Sequence, residues 1–273
     1  MRLINRKVTR PTAILLGTLP FAVAVAVYAW ASHQRRLENP SDRLLPSLQD
    51  MGETFWRMAF VPETRSGNYL LWVDTADSLW RLSAGMGIST SMALVFGLMI
   101  GFIPHARGAL APFVAAVSLI PPITVLPILF ITFGLGEASK VALIVFGTAP
   151  VMIRYLAQST LDIPRELIIK AETLGASTWQ MVTRVVLPQV LPHLIQCIRL
   201  SLVPAWIFLI SAEAIASTSG LGYRIFLVRR YLAMDVILPY VAWITLLAYL
   251  LDRLLLEFSR RAFRWHHTNG ASL

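Results

Sequence analysis

The chain has 273 residues, of which 56% are hydrophobic and 14% charged, against roughly 25% charged in an ordinary soluble domain. That composition excludes a disordered chain and argues against a soluble globular enzyme. With 24 Lys and Arg against 15 Asp and Glu the net charge is +9, which suits an anionic partner surface, and the apolar content assigns that surface to membrane lipid and not to nucleic acid.

A spanning helix needs about 20 mainly apolar residues. Six such stretches occur, near residues 12–31, 79–103, 109–133, 139–159, 191–216 and 234–256, and the period-two alternation of a membrane barrel is absent. The sequence therefore predicts an all-α integral membrane protein of about six transmembrane helices. The single cysteine, Cys197, excludes an internal disulfide, a Cys-rich metal site and a CxxC redox pair. Stability must come from helix packing in lipid.

Residues 1–31 read as a cytoplasmic N-terminus and first span, because Arg2, Arg6, Lys7 and Arg10 precede the apolar run and basic flanks stay inside. Ala29-Trp30-Ala31 also fits a signal-peptidase site. The run from Ala13 to Ala31 exceeds the roughly 7 to 15 residues of a cleaved signal core, which favours a retained anchor over cleavage. Residues 32–78 then form an outer segment, in which Leu44 to Phe60 mixes apolar and charged residues. This stretch reads equally as a helix on the membrane surface or as a folded loop.

The membrane core runs from 79 to 258, with an inner loop at 160–190 and an inner tail at 259–273. Gly97 and Gly101 give the second span a small-xxx-small face, which is weak evidence for any particular partner. Pro112, Pro121, Pro122 and Pro127 predict a kinked third span facing protein or a water-filled path, since freed carbonyls are costly in lipid. Arg165, Lys170, Arg184, Arg260, Arg261 and Arg264 lie inside as expected, whereas Arg224, Arg229 and Arg230 fall outside, against the rule.

The inner loop reads LDIPRELIIKAETLGASTWQMVTRVVLPQVLP from Leu161 to Pro192. Pro164 suits a first helical turn, Gly175 a left-handed helix end, and Ser177 with Gln180 a capping box that starts a second short helix running towards Leu187-Pro188. A helix, a glycine break and a second helix on the inner face make a docking element by shape.

The same stretch resembles the cytoplasmic signature of ABC importer permeases: EAA, three residues, Gly, nine residues, then I-x-LP. Ala171 matches the second alanine, Gly175 the glycine, Val185 the isoleucine, and Leu187-Pro188 the closing pair, while Ile169 and Lys170 depart from the leading Glu-Ala. Pro121-Pro122 with Pro127, Phe133 to Glu137, Leu174 to Ser177, Ala205-Trp206 to Ala212-Glu213, and Gly220-Leu221-Gly222-Tyr223 together look like the nitrate, sulfonate and taurine group of permeases. The likeness covers roughly 78 to 265.

That resemblance implies a type I importer core and a homodimer in the bacterial inner membrane. It also implies two cytoplasmic ATPase subunits that carry ATP and magnesium, and a periplasmic or lipid-anchored binding protein that delivers a small solute. It assigns Ala171, Glu172, Gly175, Ala176, Ser177, Val185, Leu187 and Pro188 to ATPase coupling. No cofactor is expected on this chain: a P-loop needs a Gly-Lys pair, and Lys7, Lys140 and Lys170 follow Arg6, Ser139 and Ile169. HExxH, GxSxG and DxDxDG motifs are absent too, and His266 and His267 read as a solvated tail.

Ionisable residues inside spans mark function by default. Glu213 either lines the outer mouth or bonds a neighbouring helix, and Arg199 either attracts an anion or snorkels to the interface. Trp206 and Trp243 either shape the cavity or pack. With Pro121 and Pro122, residues Arg199, Trp206 and Glu213 form the expected translocation path. The alternative is a secondary transporter or other polytopic protein not coupled to an ATPase, for which paired intramembrane charges or matching halves would speak.

Overall fold

A computed structural model describes residues 9–38, 44–64 and 67–265. Arg2, Arg6, Lys7, His266 and His267 lie outside them. Helices run in the order α1 Arg10–Glu38, α2 Leu48–Phe60, α3 Leu70–Phe102, α4 Pro104–Val117, α5 Pro122–Phe133, α6 Glu137–Leu161, α7 Arg165–Thr173, α8 Thr178–Met181, α9 Leu187–Ala216, α10 Leu221–Val228 and α11 Met234–Ala262. Among the described residues five stretches are long and apolar enough to cross a membrane, and the bent pair α4–α5 supplies a further candidate.

The chain divides into two units, one of Met1–Tyr69 with Val228–Val241 and one of Leu70–Leu227 with Ala242–Leu273. In the first, α1 carries its apolar run with none of residues 11–31 buried. Ser47 starts α2 through a reciprocal capping box with Asp50, so the Leu44 to Phe60 stretch is helical from Leu48 onward. The hydrogen bonds to the Ser47 side chain and backbone hold the Asp50 carboxyl below its ordinary pKa, with Arg36 adding to the shift.

The second unit is organised by α3 and α6. Ideal Cβ atoms on Gly85 and Gly97 would come within 2.7 Å of Ile144 and 2.8 Å of Leu156, Gly101 sits directly on Thr160, and the Ser89 and Thr148 hydroxyls bond at 2.7 Å. Lipid tails offer no hydrophobic drive between helices, so close backbone approach and hydroxyl bonding carry the association. The partner of the Gly97 and Gly101 face is therefore α6. Each of these pairs is offset by the same 59 positions, so α3 and α6 run parallel and in register.

Parallel neighbours in direct contact require the chain between them to cross back. Since α6 begins at Glu137 beside Arg81, near the start of α3, α4 and α5 return the chain along roughly 30 Å of α3. They count as one crossing and bring the spans to six. This span is not the single kinked helix that its prolines predicted: α4 and α5 meet at 95°. Pro121 and Pro122 lack N–H donors, and the ring of Pro122 holds Pro121 at an extended ψ of 118°, so no helix continues through them. Pro112 and Pro127 lie within the two halves.

The second span also begins earlier than the expected 79, at Leu70, which places Asp74, Asp77 and Ser78 on the helix. Glu213 near the end of α9 meets Arg81 near the start of α3, so α9 runs antiparallel to α3 and α6. The loop after α6 and the Arg81 region thus occupy opposite ends of the bundle.

Candidate functional site

At the end of the bundle that follows α6, Pro164 caps α7, none of whose residues is buried. The helix stops in a complete Schellman motif: Ala176 N–H donates to Ala171 O at 3.0 Å, Gly175 N–H donates to Glu172 O at 2.9 Å, and Gly175 adopts φ +77°. Only glycine takes this conformation at little cost. Ser177 restarts the chain: its Oγ accepts from Gln180 N–H at 3.3 Å while its own N–H donates to Gln180 Oε1 at 2.9 Å. Leu174 and Trp179, 86% and 74% exposed, flank this turn.

The second short helix is not separate. Val182–Val186 forms a π-helical segment in which Leu187 N–H donates to Val182 O, and α8, this segment and α9 form one continuous run. The physical reason is Pro188, whose ring would clash with the Arg184 carbonyl in a regular α-helix and which offers no N–H; the wider π turn accommodates both defects. Of the predicted coupling residues, Glu172, Gly175 and Ser177 are exposed and Ala171 and Ala176 half-buried. Val185, Leu187 and Pro188 are half-buried where that run enters the bundle, beside the fully buried Val186 and Val190.

At the opposite end a buried ion-pair network ties four segments together. Arg81, 3% exposed, uses all five of its N–H groups. Nε and Nη2 grip Glu137 at 2.5 and 2.9 Å, Nη1 reaches Glu213 at 2.7 Å and the Ser219 carbonyl at 2.9 Å, and Nη2 also reaches Ser219 Oγ at 3.4 Å. Glu213, wholly buried, accepts further bonds from Ser78 Oγ at 2.8 Å and Gly222 N–H at 2.8 Å. Asp74 accepts from Gly220 N–H at 3.0 Å and from Arg224 at 2.8 Å. Asp77 accepts from Ser219 Oγ, and Lys140 donates to Glu137 at 2.8 Å.

The turn between α9 and α10 must be glycine-rich to fit there. Gly220 has φ +122°, and a Cβ on it would lie 2.5 Å from Glu213 Cδ and 2.7 Å from Arg81 Nη1. A Cβ on Gly222 would lie 2.9 Å from the Ile210 backbone. Arg224, which by charge counting falls on the wrong side of the membrane, is bound by Asp74 and enters this end as half of an ion pair.

Glu213 bonds a neighbouring helix, α3, through Arg81 and Ser78. Of its partners on α3, Ser78 falls outside a span started at 79 whereas Arg81 lies inside it, and Asp74, Ser78 and Arg81 recur at helical spacing on one face. Arg199 is paired within the bundle: Asp252 of α11 takes its guanidinium bidentately at 2.7 and 3.0 Å. Trp206 is 4% exposed and its indole N–H has no protein partner, whereas Trp243 donates to Thr75 at 2.9 Å. Pro121 and Pro122 stand at the α4–α5 bend, Pro121 exposed and Pro122 half-buried.

An apolar cavity of about 690 Å³ lies between α3, α4, α5 and α6, with Trp80, Met92, Phe113, Val117 and Phe146 among its walls and Glu137 as its one titratable lining residue. Among the described residues no group of three or more His, Cys, Asp or Glu is placed to hold a metal ion.

Comparison with known proteins agrees with this architecture. Residues 85–264 match the family of binding-protein-dependent transport system inner membrane components. The taurine transport system permease protein of Escherichia coli is 33% identical over 263 residues, 94% of this chain and 91% of that protein. The riboflavin transport system permease protein of Chloroflexus aurantiacus is 35% identical over 231 residues, 81% and 80% of the two chains. A bacterial ABC transporter that imports alginate shares the fold, with a TM-score of 0.63 at 15% identity over 92% of this chain and 95% of that one. With a family match over most of the helical bundle and a permease relative spanning nearly the whole chain, this protein belongs to the binding-protein-dependent transport system inner membrane components, as an ABC importer permease.

Proposed function

We propose that this chain is the membrane subunit of an ATP-driven importer of small organosulfonates such as taurine. Two copies form the path in the bacterial inner membrane, two cytoplasmic ATPase subunits dock under the α7–α8 turns, and a separate periplasmic or lipid-anchored protein delivers solute at the Arg81 end. The observation that carries this reading is the turn itself: a fully formed Schellman motif and capping box, with no buried residue on α7 and with Leu174 and Trp179 exposed. Two large apolar side chains presented together on one rigid turn suit a partner surface. ATP and magnesium belong to the partner, since this sequence has no P-loop.

The solute path runs past the α4–α5 bend at Pro121 and Pro122, whose two arms contribute Val117 and Leu129 to the walls of the apolar cavity. Irregular backbone at membrane depth is tolerated where it lines a cavity or meets protein. The sulfonate assignment rests on the near-complete span of the taurine relative.

The test is to reconstitute the permease with its ATPase and binding protein in vesicles and to measure solute-stimulated ATP hydrolysis with taurine, a longer alkanesulfonate, nitrate and riboflavin. Stimulation by the sulfonates is expected. Stimulation by riboflavin alone would overturn the solute class, and uptake without ATP would overturn the importer reading.

A further inference from the structure

Helix α2 is tied at two points to the ends of membrane spans. At its start, Tyr28 OH of α1 donates to Pro46 O at 2.8 Å, Ser32 Oγ donates to Leu45 O at 2.9 Å, and Arg36 pairs with Asp50 at 3.3 Å. In its middle, Thr54 Oγ1 donates to Asp235 Oδ2 of the first turn of α11 at 3.2 Å. The apolar run of α1 from Ala13 to Ala31 is about 28 Å long at helical rise, close to the hydrocarbon thickness of about 30 Å. Tyr28, Ser32 and Arg36 therefore mark the level where hydrocarbon gives way to headgroups. A helix pinned at that level at its N-terminus, and again at its middle to the first turn of another span, is held along the membrane plane.

Its outward surface has two adjoining ridges. Leu48, Gly52, Trp56 and Phe60 recur at intervals of four along one, with Leu48, Trp56 and Phe60 at 52%, 63% and 51% exposure and the Trp56 and Phe60 rings 4.3 Å apart. Gln49, Glu53 and Arg57 form the other, all exposed, with Gln49 bonded to Glu53 at 2.9 Å. Thr54, turned away from both ridges, is buried against protein, and Ala59 is buried at the C-terminal end of the helix. A helix with one side on protein, one apolar and aromatic, and one charged suits a headgroup boundary, where Trp is favoured because its ring is apolar and its N–H polar.

We propose that the Leu48–Gly52–Trp56–Phe60 ridge of α2 is a lipid-binding surface that seats this helix in the membrane interface, with Gln49, Glu53 and Arg57 facing water. The occupant is the boundary between headgroups and acyl chains of the leaflet in which α1 ends and α11 begins.

The experiment places a nitroxide label singly at positions 48, 52, 56, 60, 49, 53 and 57, on a Cys197→Ser background, in the complete transporter reconstituted in liposomes. Collision rates with oxygen, which concentrates in lipid, are compared with those of a water-soluble nickel chelate. Oxygen is expected to exceed the chelate several-fold at 48, 52, 56 and 60 and to fall below it at 49, 53 and 57. Because seven sites are read separately, failure of one label to insert leaves the pattern legible. Free access of the chelate to all seven, or shielding of the ridge only after the solute-binding protein is added, would overturn the proposal, the second result making the ridge a protein-docking surface.

Discussion

Arg81 Nη1 lies 2.7 Å from Glu213 Oε1 across 132 positions of sequence, and through this contact the start of α3 is locked to the end of α9. Glu137 holds the other edge of the same guanidinium, so one side chain fastens α3, α6, α9 and the turn before α10.

Removing the Glu213 carboxylate strips Ser78, Gly222 and one edge of Arg81 of a buried acceptor while Glu137 still holds the other edge, and a buried donor left unsatisfied costs about 1–3 kcal/mol. Glu213→Ala should therefore lower the melting temperature of the purified subunit markedly. Glu213→Gln keeps the side-chain shape and an acceptor for Ser78 and Gly222, so it should insert and fold while solute uptake changes. Equal melting temperatures for Glu213→Ala and wild type would contradict the network's structural role, and wild-type uptake by well-expressed Glu213→Gln would remove its role in transport.

Gly220→Ala strikes the same contact without touching a charge. The new Cβ would meet Glu213 and Arg81 in a backbone conformation with φ +122°, and such strain alone costs on the order of 1–3 kcal/mol. Gel-filtration of detergent extracts should show loss of the folded peak for Gly220→Ala, and an unchanged profile would argue that the turn relaxes freely.

Two glycines of α3 offer an internal comparison. A Cβ on Gly85 would come within 2.7 Å of Ile144, whereas one on Gly87 would meet nothing within 4 Å. Gly85→Ala should destabilise by roughly 1–3 kcal/mol through overpacking, and Gly87→Ala should be neutral or stabilise by up to about 1 kcal/mol through helix propensity. Thermal unfolding of both variants decides it, and a reversed order would contradict the α3–α6 register.

Much of this architecture is legible in the sequence because its causes are local. Apolar runs place the spans, and Gly175, Ser177 and Gln180 write a helix stop and start that the backbone adopts. The Pro121-Pro122 pair announces a break but not its 95° angle, which depends on how α4 and α5 pack against α3 and α6. The Arg81–Glu213 pair is not legible for a different reason. Hydropathy windows discard charged helix ends, so Asp74, Asp77 and Ser78 fall into the preceding loop, and the pairing across 132 positions is a tertiary fact. Arg199 misleads likewise, since its partner Asp252 lies on another helix.

The α7–Gly175–α8 turn is the element proposed to couple this subunit to an ATPase, and Gly175→Val probes that role. Within the subunit a Cβ at Gly175 would meet nothing within 4 Å, so the variant should remain inserted and folded, and its effect should arise from φ +77° and from the docked surface. Strain of roughly 1–3 kcal/mol transmitted to docking corresponds to an affinity loss of about 5- to 150-fold. The measurement is co-purification of the ATPase with the permease, together with uptake in vesicles, at matched expression of wild type and variant. The account predicts that Gly175→Val loses ATPase from the complex and uptake with it, while retention of the ATPase with normal transport would contradict it.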